Sequence, residues 1–143
     1  MNCYAVLDTN VLVSALLSSK DDAATVQVVT RLLNGEITPV FSKEIIREYR
    51  EVMNRKKFGF SPDAVSYLIA AVEQFGISLT PSASGVTLPD SKDLPFYEVV
   101  LERRKENDDA YLVTGNTKHF PVKPFVVTPR ELLDILDQTE KDK

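Results

Sequence analysis

The chain has 143 residues, a formal charge of -4, one cysteine and one histidine. That length suits a single domain able to bury roughly two-thirds of the surface its unfolded form exposes, and the acidic balance excludes holding nucleic acid by bulk attraction alone. With one thiol and one imidazole, an internal disulfide and a thiolate- or histidine-rich zinc site are both excluded, so any metal here is held by oxygen.

Residues 3–7 form an apolar run of the length expected for a strand buried on both faces, and it stops at Asp8, a residue strands disfavour. Thr9 and Asn10, both good helix N-caps, precede an apolar stretch that continues as a helix. Asp21 or Asp22 is expected to cap a helix carrying Ala23, Val26, Val29, Leu32 and Leu33, and Asn34-Gly35 supplies its left-handed stop. Residues 37–41 read as a second strand. Ser42 is the next N-cap, opening an amphipathic helix over 43–53 whose apolar face runs through Ile45, Tyr49 and Val52. Glu48 falls on that face, whereas Arg47, Arg50 and Glu51 lie further round towards solvent.

A basic and aromatic loop, Arg55-Lys56-Lys57-Phe58-Gly59-Phe60, leads to Ser61-Pro62-Asp63, with proline at the first helical position. That helix carries Val65, Leu68, Ile69, Val72 and Phe75 and ends at Gly76. Residues 77–79 are a brief strand, and from 81 to 95 the composition turns to Ser, Pro, Gly and Asp, the mark of a loop. Asp93 and Pro95 prepare a helix over 96–105, Asn107-Asp108-Asp109 turns the chain, and residues 110–114 form a strand that ends at Gly115-Asn116. A short strand spans 125–127, and Thr128-Pro129-Arg130-Glu131 is a capping box opening a final helix that ends near Asp137. Residues 1–137 are read as a single domain and 138–143 as a frayed tail. No apolar segment approaches the roughly 20 residues needed to cross a bilayer, and no basic stretch leads into a long apolar run at the start. A soluble, untargeted protein is expected, and the lone Cys3 fits a reducing compartment such as the cytoplasm.

Strands alternating with helices imply right-handed crossovers and a central, mostly parallel sheet covered on both faces, a three-layer α/β/α sandwich. Parallel strands align their carboxyl ends, and in open sheets of this kind ligands bind in the crevice beyond those ends. Asp8 and Asn116 both follow strands and meet there; Glu48 reaches in from its helix face, and Asp93 joins if its loop returns to the same edge. Carboxylates gathered with no basic residue among them repel, so such a site makes physical sense with a divalent cation in it. Oxygen donors alone point to Mg2+ or Mn2+. A plainer reading, in which Asp8 merely caps the helix after it, stands beside this one.

Four stretches in order, Leu7-Asp8-Thr9-Asn10-Val11, Ser42-Lys43-Glu44-Ile45-Ile46-Arg47-Glu48-Tyr49, Asp90-Ser91-Lys92-Asp93-Leu94-Pro95-Phe96 and Tyr111-Leu112-Val113-Thr114-Gly115-Asn116, give the chain a likeness. It resembles the PIN-domain family, in particular the small single-domain members found as toxins in toxin-antitoxin pairs. The resemblance covers nearly the whole chain and puts the family's first acid on Asp8, its helical glutamate on Glu48 and its third acid on Asp93, with Asp90 as a companion to the third. Where many members carry a fourth aspartate this chain has Asn116, which removes one negative charge and leaves an amide oxygen able to ligate a metal or orient its water.

The resemblance implies a Mg2+- or Mn2+-dependent endoribonuclease, the ion lowering the pKa of a water and stabilising charge on the phosphate. Asp8, Glu48 and Asp93 would be its metal ligands, and those three with Asn116 its catalytic set. Thr9, Asn10, Asp90 and Thr114 would hold carboxylates and waters in place. RNA as substrate, a cognate antitoxin blocking the cleft, and a homodimer belong to the same implication.

RNA needs positive charge outside the acidic cleft, and Arg47, Arg50, Arg55, Lys56 and Lys57 are its densest supply, with Phe58 and Phe60 available for stacking. A solvated helix face accounts for the same charges equally well. His119 is too isolated in the sequence to be given a role. Two other classes remain: an RNA- or protein-binding module that kept the fold but lost turnover, motivated by Asn116, and a phosphate-binding receiver or phosphatase domain. The last is disfavoured, because Asp8-Thr9-Asn10-Val11-Leu12 lacks a second aspartate and no glycine-rich phosphate loop is present.

Overall fold

Five short apolar runs become strands: β1 (Cys3–Leu7), β2 (Ile37–Phe41), β3 (Ile77–Ser78), β4 (Ala110–Val113) and β5 (Val126–Val127). In the computed structural model, which describes residues 3–141, they pair in parallel throughout, in the order β3-β2-β1-β4-β5. β1 is central because Ala5, Val6 and Leu7 are apolar on both faces, and all three are buried. Pro39 has no N–H to donate, and it falls just before the residues that β3 pairs with.

The sheet is joined by α1 (Thr9–Leu17), α2 (Ala24–Leu33), α3 (Lys43–Met53), α4 (Pro62–Phe75), α5 (Leu94–Arg104) and α6 (Pro129–Lys141). The crossovers from β1 to β2 and from β3 back to β4 run in opposite lateral directions, so right-handedness puts their helices on opposite faces. α2 packs on α1 and α6, whereas α5 packs on β1, β2 and β4, which makes the three layers. Val6, Leu12, Leu32, Ile45, Leu112 and Leu132 are fully buried between them, each stabilising the fold by about 1.5–3 kcal/mol relative to exposure. An ion pair of 2.7 Å between Arg31 and Asp137 ties α2 to α6.

Local punctuation behaves as the residues dictate at most ends. Gly35 takes a positive φ of 83° after α2, Ser42 and Ser61 cap α3 and α4, and the Thr128–Glu131 box closes with reciprocal bonds of 2.9 and 3.1 Å. Two ends differ from expectation. α2 starts at Ala24 with Ala23 in the cap position, so neither Asp21 nor Asp22 caps it; the Asp21 carbonyl instead accepts from the Gln27 amide at 2.6 Å. α6 continues to Lys141, because no glycine or proline interrupts it after Asp137, and Thr139 Oγ1 donates back to the Ile135 carbonyl. Of the expected tail, Asp142 and Lys143 lie outside the described residues. Short 3₁₀ turns at Lys56–Phe58, Ser91–Asp93 and Thr117–His119 are too brief for any periodicity to announce.

Candidate active site at the carboxyl ends of β1 and β4

Leu7 and Val113 end their strands side by side. The chain runs outward from β1 to β2 and β3 and then returns to β4 on the other flank of β1, so this is the point where the order reverses and a crevice opens. Asp8 follows Leu7, and its N–H donates to the Val113 carbonyl at 2.9 Å, which holds it at the sheet edge. Its backbone has N-cap angles (φ -60°, ψ 141°), yet its side chain makes no cap bond to α1. Oδ2 instead accepts from Thr114 Oγ1 at 2.7 Å, and that oxygen accepts from the Asn116 N–H at 3.0 Å. Asp8, Thr9 and Thr114 are buried polar side chains, Asp8 being only 5% exposed.

Glu48 arrives on α3. The Ser42 cap accepts from the Ile45 N–H at 3.2 Å, and the buried Tyr49 hydroxyl donates to the Leu7 carbonyl at 2.5 Å, pinning the helix to the end of β1. Glu48, one residue earlier, lies over the start of α1, where Oε2 accepts a short hydrogen bond from Thr9 Oγ1. Asp93 ends the Ser91–Asp93 turn and precedes α5 without capping it by its side chain. Its loop does return to the sheet edge, close enough for Asp8 and Asp93 to feel one another's charge.

The expectation that no basic residue stands among these acids is corrected. Nδ1 of His119 lies 3.3 Å from Asp93 Oδ2, because the Thr117–His119 turn folds the chain back along the edge it has just left. Its signal in the sequence was slight: it is the one histidine, placed a few residues beyond a strand that ends at the crevice. Asp93 Oδ2 is itself buried and accepts no hydrogen bond of good geometry, so its lone pairs are only partly satisfied.

Burial raises the pKa of all three acids. For Asp8 the rise is offset by the Thr114 hydroxyl, then by the facing amides of Asn10 and Thr9 and by His119. For Glu48 the Thr9 hydroxyl offsets burial, while the charges of Asp8, Asp93 and Glu51 add to it. Asp93 is pushed further by Asp8 and Asp90 and pulled back by His119. The three therefore form one coupled acidic patch. Each is turned towards a protein partner, however, and no three His, Cys, Asp or Glu side chains converge at metal-binding distance among the described residues.

The other expected residues fall in distinct places. Asn116 is exposed and is linked to Asp8 through its backbone and Thr114; Asn10 is exposed and faces Asp8 with its amide. Asp90 is an exposed turn cap, accepting from the Lys92 N–H at 2.9 Å. Glu48 also walls a cleft of about 370 Å³ between α3 and the Ser91–Asp93 turn, shared with Arg47, Arg55 and Lys92. Lys56 and Lys57 are exposed, Lys57 sitting 5.1 Å from the Phe58 ring. Phe58 and Phe60 stack on each other at 5.5 Å and are partly buried against the core.

The PIN domain matches residues 4–118, from β1 through most of the turn that ends at His119. The chain belongs to the PIN-domain family. No curated protein and no solved structure gave a match. PIN domains are in general nucleases that use divalent metals, and the all-parallel sheet flanked by six helices among the described residues is a PIN-like α/β/α fold. The donor set fits that chemistry in kind: it is all oxygen, mutually repelling and includes a buried carboxylate oxygen short of a partner. No described helix is long and apolar enough to cross a membrane.

Proposed function

We propose that this PIN domain is a Mg2+- or Mn2+-dependent endoribonuclease, the toxin of a toxin-antitoxin pair, acting in the cytoplasm. The observation that supports it is the approach of Asp8, Glu48 and Asp93 at the reversal of strand order, where burial raises all three pKa values, the charge of Asp8 adds to the rise at Glu48 and Asp93, and Asp93 Oδ2 lacks a good donor. Asp8, Glu48 and Asp93 would hold the cation, which when bound activates water and offsets charge on a phosphodiester. Thr114 holds the Asp8 carboxylate at the sheet edge, Thr9 does the same for Glu48, and Tyr49 fixes the height of α3 above both. Asp90 and the Asn10 amide steady the two loop acids, and Asn116 stands at the rim with an amide free to orient water or substrate. Arg47, Arg50, Arg55, Lys56 and Lys57 supply the positive surface for RNA.

An antitoxin segment would restrain the enzyme by filling the cleft beside Glu48. A homodimer is part of the same reading: Leu17 and Tyr67 are 57% and 70% exposed near an apolar groove between α1, α2 and α4.

The test is incubation of the purified protein with single-stranded RNA and Mn2+. Cleavage that disappears in Asp8→Asn while the thermal transition persists is the expected result. Equal cleavage by wild type and variant would trace the activity to a contaminant and remove the enzyme reading. A second reading, an RNA- or protein-binding module without turnover, is favoured by the exposed Asn116 at the fourth acidic position and by the lack of a three-acid cluster among the described residues. RNA binding without cleavage at any Mn2+ or Mg2+ concentration selects it.

A further inference from the structure

α3 carries two rows of charge. Glu44, Glu48 and Glu51 recur at i, i+4 and i+7 and line the cleft of about 370 Å³, where Arg47, Arg55 and Lys92 balance them. Lys43, Arg47 and Arg50 recur with the same spacing one residue earlier and line a second groove, of about 500 Å³, towards the carboxyl ends of β2 and β3. Glu73 is the acid lining that second groove, 4.0 Å from Arg50, with both side chains half exposed. Lys43 and Arg47 have no ion pair among the described residues. The nearly buried Phe41 and Ile46 form the apolar floor.

We infer that this second groove carries the sugar-phosphate backbone of single-stranded RNA to the acids, with Lys43, Arg47 and Arg50 contacting phosphates. The inference deepens the ribonuclease reading and takes from it only the identity of the strand. Charge decides between the two grooves. In the cleft beside Glu48 cations and carboxylates cancel, so a polyanion gains little there; the second groove has an excess of cations in a row whose Cβ atoms are about 5–6 Å apart. An apolar floor below a basic rim matches a nucleotide, whose phosphate is charged and whose base is flat and apolar on its faces. Arg47 lines both spaces, so a strand lying along the basic row passes directly to Glu48. The Arg55–Lys57 loop is the weaker competitor, because Arg55 pairs with Glu51 at 3.7 Å and Lys57 rests over Phe58.

The experiment reads binding of a fluorescent single-stranded RNA by anisotropy, without added metal, in an Asp8→Asn background so that no cleavage intervenes. Adding Lys43→Ala and Arg50→Ala should weaken binding alike for unrelated sequences. The slope of log Kd against log salt, taken between about 50 and 200 mM, should become shallower by about 0.7 for each cation removed. Both residues are exposed, so the melting temperature should hold. An unchanged Kd and slope, no RNA binding by the background protein, or a loss produced wholly by Arg55→Ala, Lys56→Ala and Lys57→Ala would each overturn the inference. Its fate separates from that of the enzyme: groove-dependent binding by a protein that never cleaves leaves it standing, while cleavage with groove-independent binding removes it alone.

Discussion

Two adjacent strands end in the same grammar and diverge just past their ends. β1 closes on Val6-Leu7 and hands over to Asp8 and α1; β2 closes on Val40-Phe41 and hands over to Ser42 and α3. Ser42 spends its side chain locally, accepting from the Ile45 N–H. Asp8 has the backbone of a cap and the residue type of a cap, and its carboxylate would gain from the helix dipole, yet it leaves α1 uncapped by its side chain and turns across the sheet to Thr114. A residue placed to cap that instead carries its carboxylate into a buried position, where desolvation disfavours the charged form, is not explained by its helix alone. That contrast separates a strand end whose polar side chain serves its own helix from one whose side chain reaches across the sheet.

The largest effect expected is on turnover. Asp8→Asn should reduce RNA cleavage to background, with the thermal transition unchanged or raised, because an amide oxygen still accepts from Thr114 and no charge is buried. Ser42→Ala should do the reverse, keeping cleavage and losing about 1 kcal/mol of stability through the missing cap. A gel assay and a melting curve on each variant check both, and a Ser42 variant as inactive as the Asp8 variant would dissolve the distinction.

Thr114→Val sharpens it at the next scale. The substitution keeps the shape and removes the donor, leaving a buried carboxylate without its principal hydrogen bond; the cost in stability should be about 1–3 kcal/mol. Activity should fall by roughly 10–100-fold, as when a group orienting a metal ligand is lost. Since the Thr114 hydroxyl holds the Asp8 pKa down, its removal should also move the acid limb of the pH–rate profile to higher pH. A drop in stability with an unmoved limb would make Thr114 a packing residue only.

The same contrast explains what could be read from residues alone. Ends set by local chemistry were legible: Ser42 and Ser61 as caps, Gly35 as a left-handed stop, and Asp8 and Glu48 from a strand's end and a helix's phase. Asp93 required its loop to come back to the sheet edge, a path that no period encodes. His119 escaped because its proximity to Asp93 depends on a three-residue turn, and Tyr49 read as apolar while its hydroxyl pins α3 to Leu7. Asp21 and Asp22 show the opposite error, residues of capping type that do not cap because Ala23 occupies the position.

The smallest effect is a difference in pH dependence. Burial raises the folded-state pKa of Asp8 above its unfolded value, so across the interval between the two the folded protein binds more protons than the unfolded chain. Stability in that interval therefore falls as pH rises, and above it the ionised carboxylate is a constant burden. In metal-free buffer Asp8→Asn should accordingly be more stable than wild type at neutral pH, and the gap should close as pH falls through the raised value towards the ordinary carboxylate range. Ser42→Ala titrates nothing, so its deficit should stay level over the same range. Melting temperatures of the three proteins with a chelator present, taken in steps from neutral to acid pH, measure both gaps. An Asp8 gap that widens on acidification would mean the carboxylate is stabilised where it lies, and would return Asp8 to the same role as Ser42.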